Sequence, residues 1–173
     1  MLELGDLRYE YAVNPLGIDA ACPRLSWVAK AAGCGQRQSA FQVLAASTSE
    51  NLERGVADLW DSGKVKSDTF LVEYSGRPPG SGDRCWWKVR AWDSEGLPGP
   101  YSEAAWFEMG LLSPADWQAN WIGFPGAWPG KALYFRRDFV LNKPVRRARI
   151  YMVGLGWSEL RVNGRRVNDR VLD

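Results

Sequence analysis

The amino-acid sequence predicts an all-β protein that begins with an antiparallel β-sandwich over residues 1–110. Three observations support this fold class. Short runs of alternating polar and apolar residues recur along the chain, and Gly, Pro and Asp-Ser-Gly turn signals separate them. A helical period is nowhere sustained. About seven short strands within roughly 110 residues are typical of a two-sheet sandwich.

The expected strands of this first domain follow one another along the chain. They lie at residues 24–28, 40–46, 69–74, 85–92 and 105–108, with a shorter stretch at 59–61 that leads into an Asp61-Ser62-Gly63 turn. In the second of these strands Phe41, Val43 and Ala45 share one face, because side chains alternate along a strand. Residues 49–54 are expected to form a polar turn or a single helical turn with Ser49 as N-cap.

The clearest strand is predicted at residues 85–92. Its alternation separates a core set from a mixed set: Trp87, Val89 and Ala91 on one face, and Trp86, Lys88, Arg90 and Trp92 on the other. The second face interleaves cations with indoles. We therefore expect cation–π contacts there, each contributing about 0.5–1 kcal/mol where exposed.

Residues 111–130 differ in composition from the domain before them. The stretch is rich in Pro and Gly and contains Trp117, Trp121 and Trp128. Three indoles in a linker indicate packing between domains instead of a free tether. The expected organisation is a sandwich at 1–110, a packed linker at 111–130, and a truncated start of a second β-domain at 131–173.

The second β-domain is predicted to be incomplete. Its strand-like segments lie at 133–139, 148–152, 159–162 and 165–167, and an Asn163-Gly164 type I′ turn signal joins the last two. About four strands do not close a sandwich, so Phe135, Phe139 and Ile150 would lack a facing sheet. We expect this region to be poorly ordered or to be covered by a further part of the protein or by a second copy. In the last case the chain self-associates through open sheet edges.

Composition narrows the range of functions. The 22 basic and 20 acidic residues give a net charge of +2, which favours neither nucleic acid nor an anionic membrane as partner. The chain contains no histidine, and this excludes chemistry that needs a histidine base or metal ligand within it. We expect no cofactor and no metal site.

The cysteines and the N-terminus bear on localisation. Cys22, Cys34 and Cys85 have no spacing typical of metal binding. The sequence allows two states, a Cys22–Cys34 disulfide or free thiols, and a reducing compartment favours the free thiols. No basic segment precedes an apolar one at the N-terminus, and no apolar run is long enough to span a membrane. The sequence thus predicts a cytoplasmic protein, with trimming of a longer chain as the alternative.

A series of short motifs runs through nearly the whole chain. They occupy residues 14–19, 23–27, 38–43, 59–65, 87–93, 117–123, 135–139, 148–151 and 163–167. No single motif is decisive, but in this order the set resembles the N-terminal region of bacterial α-L-rhamnosidases. The resemblance implies a fibronectin type III-like sandwich followed by the incomplete start of a jelly-roll-like β-domain.

The resemblance also implies an activity for the parent protein. It would hydrolyse terminal α-L-rhamnose from glycosides with inversion, using a carboxylic acid and a carboxylate of a later (α/α)6 barrel. No residue of this chain matches that acid or base, so we expect the chain to be inactive alone. It would serve as a non-catalytic accessory region whose partner is the catalytic domain of the same protein.

Trp128 and Trp157 are the candidate carbohydrate contacts. Both lie near loops of the second β-domain, and indole faces stack on the C–H faces of sugars, here of a rhamnoside or plant glycan. Packing within or between domains is the alternative for both residues. The corresponding alternative functions are a stand-alone carbohydrate-binding module and a protein-interaction sandwich. Acidic pairs such as Glu103 with Glu108, or Asp58 with Asp61, are expected to be ordinary surface carboxylates.

Overall fold

The computed structural model describes residues 2–20, 22–31, 35–126 and 132–167. Its strands are β1 (Leu2–Tyr9), β2 (Arg24–Ala31), β3 (Ala40–Ala46), β4 (Trp60–Asp61), β5 (Val65–Lys66), β6 (Leu71–Glu73), β7 (Arg84–Trp92), β8 (Ala105–Glu108), β9 (Arg161–Val162) and β10 (Arg165–Arg166). A five-residue helix, α1 (Ser49–Glu53), follows β3, and a 3-10 turn spans Pro114–Asp116. No described helix is long and apolar enough to cross a membrane.

Two antiparallel sheets form the first part of the chain. One has the strand order β1-β2-β6, and the other has β3 and β7 at its centre with β8 on one side. On the other side, β4 and β5 pair with opposite ends of β3, with the registers Leu44↔Asp61 and Phe41↔Val65. The predicted antiparallel β-sandwich is confirmed. The Asp61-Ser62-Gly63 turn separates β4 from β5, and Oδ1 of Asp61 accepts from the Gly63 N–H at 2.8 Å.

The core lies between the two sheets. Side chains from both sheets form one buried cluster that includes Tyr9, Leu25, Trp27, Phe41, Val43, Trp87, Val89 and Phe107. The predicted core face of β7 is confirmed, since Trp87, Val89 and Ala91 are all buried. One buried amide joins elements across this core. Gln38 accepts from Nε1 of Trp27 at 3.1 Å and donates to the carbonyl oxygen of Thr69 at 2.6 Å.

β1 was not expected from the sequence. It pairs with β2 from Leu2↔Ala31 to Tyr9↔Leu25, but its register shifts between Gly5 and Arg8. Asp6 lies within this bulge with a φ of 48°. The bulge inserts residues into the strand and thus breaks the alternation of polar and apolar positions that identifies strands in a sequence.

β3 is buried on both of its faces, whereas the sequence predicted one apolar face. Leu44 and Ala46 pack with Leu52 of α1 on the side away from the main core. The N-cap of α1 is Thr48 instead of the predicted Ser49, and Oγ1 of Thr48 accepts from the Asn51 N–H at 3.1 Å. A short helix therefore covers part of the outer face of this sheet.

The free edge of β8 is occupied by a non-strand segment, residues 14–18. Oδ1 of Asn14 accepts from the Trp106 N–H at 2.9 Å, and the carbonyl oxygen of Pro15 accepts from the Glu108 N–H at 3.0 Å. The Ile18 N–H donates to the carbonyl oxygen of Glu108 at 3.1 Å. Residues 14–18 thus satisfy backbone groups that would otherwise form an open sheet edge.

The chain divides into two units, Met1–Trp121 and Ile122–Asp173. Within the described residues 132–167 of the second unit, the strands are β9 and β10, which pair through Arg165↔Val162. The Asn163-Gly164 turn is confirmed, because both residues have positive φ, 50° and 77°.

The strands predicted at 133–139 and 148–152 do not form in the second unit, which was a wrong prediction for these residues. An alternating pattern yields a strand only where a neighbouring strand accepts its hydrogen bonds. Phe135, Phe139 and Ile150 are more than half exposed, in agreement with the expectation that no sheet faces them. The start of a jelly-roll-like domain stays a prediction.

Candidate functional site

Of the two predicted carbohydrate contacts, Trp157 lies within the described residues. Trp157 is 60% exposed and follows Gly156, whose φ is 102°. Trp128 lies outside the described residues. In the linker, Trp117 and Trp121 are 40% and 69% exposed. Packing of the linker between two domains remains a prediction, as does carbohydrate contact at Trp128 and Trp157.

The outer face of the β3-β7-β8 sheet carries a connected set of cation–aromatic contacts and hydrogen bonds. Four cations lie over four aromatic rings, and we call this set the cation–aromatic ladder. The distances run from the cation to the ring centre. Arg84 lies 3.9 Å from Trp106 and 5.7 Å from Trp86, and Lys88 lies 4.8 Å from Tyr101. Arg90 lies 4.7 Å from Trp92 and 4.8 Å from Tyr101, and Lys64 lies 4.6 Å from Trp92. The contacts expected for this face of β7 are therefore present.

Gln42 of β3 connects the ladder to the edge of the sheet. Its Oε1 accepts from Nη2 of Arg90 at 2.7 Å and from the hydroxyl of Tyr101 at 3.0 Å. Its Nε2 donates to Oδ1 of Asp61 at 2.7 Å. Sequence reasoning missed this residue, because alternation alone assigns Gln42 to a solvated face. Its partners Arg90 and Tyr101 lie 48 and 59 residues further along the chain.

Glu108 corrects one sequence-based expectation. It was expected to be an ordinary surface carboxylate, yet its side chain is only 3% exposed. Oε2 of Glu108 accepts from Nη2 of Arg84 at 2.9 Å and from Nε at 3.1 Å. Burial of this carboxylate is compatible with folding because a cation satisfies it. The other carboxylates of the proposed pairs, Glu103, Asp58 and Asp61, are exposed as expected.

Asp58 and Asp61 are engaged by neighbouring protein groups. Asp58 accepts from the N–H of Ser47 at 3.0 Å and from its hydroxyl at 2.6 Å. Partial desolvation of the Asp58 carboxylate acts to raise its pKa, but the hydrogen bonds from Ser47 outweigh this effect, and the pKa lies below its ordinary value. Asp61 therefore stabilises a turn, and Asp58 joins two segments that lie eleven residues apart in sequence. Within the described residues, no three His, Cys, Asp or Glu side chains lie close enough to hold a metal ion.

The buried titratable groups of the core lie close together. Burial raises the pKa of the Cys85 thiol to about 12, with a smaller contribution from Asp58. It likewise raises the pKa of the Tyr9 and Tyr74 hydroxyls above the ordinary tyrosine range. All three stay protonated near neutral pH, so they act as packing groups and not as nucleophiles or bases.

This geometry defines a class of protein, an immunoglobulin-like β-sandwich whose outer face is braced by its own side chains. The family described as "Rha78A-like, N-terminal immunoglobulin domain" matches residues 4–113. The chain belongs to this family.

The similar proteins described next share the name α-L-rhamnosidase. An "Alpha-L-rhamnosidase" of Formosa agariphila is 36% identical over 92% of this chain, and another of Streptomyces avermitilis is 47% identical over 67% of it. The crystal structure of the Streptomyces avermitilis α-L-rhamnosidase complexed with L-rhamnose superposes with a TM-score of 0.69, 44% identity and 72% of this chain covered.

The chain spans only a small share of these relatives. It covers 19% of the Formosa protein, 11% of the Streptomyces protein, and 12% of the chain in the crystal structure. The resemblance expected from the sequence motifs is confirmed: this chain corresponds to an N-terminal accessory region of α-L-rhamnosidases.

Proposed function

We propose that this chain is the non-catalytic N-terminal region of a glycoside hydrolase that removes terminal α-L-rhamnose, with the catalytic residues outside residues 1–173. The observation that carries the proposal is the match of residues 4–113 to the N-terminal domain of Rha78A-like proteins. Relatives whose alignments cover 92%, 88% and 92% of the chain, and therefore extend beyond this domain, share the name α-L-rhamnosidase. The (α/α)6 barrel and its inverting acid and base belong to the proposal.

The carboxylates of the sandwich support this proposal. Inverting hydrolysis requires an acid and a base on opposite sides of a sugar, with carboxyl groups about 6.5–9.5 Å apart. Glu108 is buried and paired with Arg84, and Asp58 accepts hydrogen bonds from Ser47. Asp61 accepts from Gln42 and Gly63. None of these groups is placed as a general acid beside an open sugar site.

An activity assay tests the proposal directly. The purified 173-residue chain is incubated with 4-nitrophenyl α-L-rhamnopyranoside, with a complete α-L-rhamnosidase as positive control. We expect no release of nitrophenol above the rate without protein. Turnover that co-purifies with the chain and disappears when Glu108→Gln or Asp61→Asn is introduced would place catalysis within these residues and overturn the proposal.

We further propose that other parts of the same protein cover the described residues 132–167. Tyr134 is 96% exposed, and Phe139, Val140 and Leu155 are also largely exposed. So many exposed large apolar side chains in one segment are typical of a surface that another part of a protein covers. The chain should therefore enhance the fluorescence of anilinonaphthalene sulfonate more, per mole, than the longer parent protein does. Equal fluorescence would contradict the proposal, and a concentration-dependent dimer in sedimentation would favour a second copy as the cover.

A sugar contact at Trp157 is a second candidate function. Its 60% exposed indole in the described part of the second unit favours it. Calorimetry with L-rhamnose should show saturable binding that Trp157→Ala removes and that Trp121→Ala, which truncates a similarly exposed indole, leaves unchanged. Loss of binding in both variants would contradict a specific site at Trp157. So would the absence of binding by the unchanged chain.

A further inference from the structure

The backbone that leaves the sandwich after β8 is hydrogen-bonded to the sandwich at Met109, Gly110 and Leu112. The Met109 N–H donates to the carbonyl oxygen of Asp83 at 2.9 Å, and the Gly110 N–H donates to that of Ile18 at 2.7 Å. The Leu112 N–H then donates to Oγ of Ser81 at 2.9 Å. The exit segment is therefore tied to two loops of the sandwich that lie far from it in sequence.

A single carboxylate organises the next turn. Oδ2 of Asp116 accepts from the Ser113 N–H at 3.0 Å and also from the hydroxyl of Ser81 by a short hydrogen bond. Oγ of Ser113 accepts in return from the Ala115 N–H at 3.2 Å, which completes a capping box around the 3-10 turn. The hydroxyl of Ser81 thus accepts from the Leu112 N–H and donates to the Asp116 carboxylate, which in turn accepts from the Ser113 N–H.

This order ends at Trp117. The Trp117 N–H donates to the carbonyl oxygen of Pro114 at 3.2 Å. Among hydrogen bonds between described residues, none involves a backbone N–H of residues 118–126. Trp121, Ile122 and Phe124 in this stretch are each more than 60% exposed. The division of the chain into two units falls in the same stretch, after Trp121.

We propose that Ser81, Leu112, Ser113 and Asp116 form an exit clamp that makes residues 109–117 a rigid extension of the sandwich. The first point at which the chain bends freely then lies after Trp117, in residues 118–126. The exit clamp is independent of the proposed enzymatic function, because all of its hydrogen bonds lie within the first unit. It also moves the end of the ordered domain beyond residue 113, where the family match ends.

The clamp is sensitive to acid. The hydrogen bond from Ser81, and next the one from the Ser113 N–H, lower the pKa of Asp116 below its ordinary value. A carboxylate with a lowered pKa in the folded state stabilises the clamp above the ordinary aspartate pKa. That contribution is lost as the pH falls through the lowered value. At neutral pH the clamp is closed.

Hydrogen–deuterium exchange of the full 173-residue chain tests the clamp. In Asp116→Ala and Ser81→Ala, amides of residues 112–117 should exchange roughly tenfold faster than in the unchanged chain, since local opening loses about one charged hydrogen bond. Asp116→Asn should give an intermediate rate, because its amide oxygen still accepts. Asp68→Ala, which truncates an exposed aspartate elsewhere in the sandwich, should change nothing in this segment.

Exchange in β3 and β7 shows whether the variants remain folded. If both core strands stay protected while residues 112–117 exchange at the same rate in all four variants and the unchanged chain, Asp116 does not hold the exit and the proposal fails. It also fails if residues 112–117 of the unchanged chain already exchange as fast as residues 118–126.

Discussion

Arg84 and Glu108 lie directly opposite each other on β7 and β8, and Nη2 of the guanidinium donates to Oε2 of the carboxylate at 2.9 Å. The same guanidinium lies 3.9 Å from the centre of the Trp106 ring. One cation therefore satisfies a buried anion and closes one end of the cation–aromatic ladder. The contact holds the outermost strand of the sheet to its neighbour.

Replacing Arg84 should lower the stability of the sandwich. Arg84→Ala removes the cation that faces a nearly fully buried carboxylate, and breaking such a pair costs about 3 kcal/mol. Urea unfolding followed by tryptophan fluorescence measures the change in the free energy of unfolding. Arg37→Ala, at an exposed arginine, is the control and should change it by less than about 0.5 kcal/mol. Equal stability of the two variants would show that the pair contributes little.

Gly76 should tolerate no side chain. A Cβ at this position would lie 2.4 Å from Cβ of Trp60, 2.6 Å from the carbonyl oxygen of Leu59 and 2.6 Å from the hydroxyl of Tyr74. Since one of these atoms belongs to the backbone, we expect Gly76→Ala to destabilise the domain by about 3 kcal/mol. Gly5→Ala is the matched control, because its Cβ would meet no atom within 4 Å. A thermal midpoint equal in both variants would refute this packing.

The two described cysteines should differ in reactivity. Cys85 is buried and its thiol pKa is raised to about 12, whereas Cys22 is exposed. Because the thiolate is the nucleophile, iodoacetamide at pH 8 should modify Cys22 within minutes and Cys85 only after unfolding. Peptide mass spectrometry distinguishes the two sites. Labelling of Cys85 at the rate of Cys22 in the folded protein would be inconsistent with its burial.

Alkaline pH should destabilise the sandwich. Burial raises the pKa values of Cys85, Tyr9 and Tyr74 in the folded state, so the unfolded chain releases these protons at lower pH. Their contribution is complete below the ordinary thiol and tyrosine pKa values, about 8.5 and 10, and is lost as the pH rises above them. Urea unfolding at pH values from roughly 7 to 11, which span these ordinary pKa values, measures the slope of the free energy of unfolding against pH. Cys85→Ala should make it shallower between pH 8 and 10, roughly the thiol range. An unchanged slope would exclude Cys85 as a cause.

Local patterns in the sequence were sufficient to predict those strands and turns whose conformation depends on residues adjacent in sequence. The alternation in β7 identified Trp87 and Val89 as core residues, and Asn163-Gly164 identified a hairpin whose two residues both have positive φ. The ordered motifs identified the family. These features follow from side-chain alternation and backbone sterics, which act over a few residues.

Only the tertiary structure decided which faces and carboxylates are buried. Gln42 reads as solvated from its position in β3, but it is held by Tyr101, 59 residues away. Glu108 reads as a surface acid, but Arg84 opposite it and the segment at residues 14–18 enclose that edge. Conversely, the alternating run at 133–139 forms no strand, since strand formation needs hydrogen-bonding partners. Burial and strand pairing depend on residues distant in sequence, and local alternation contains no information about them.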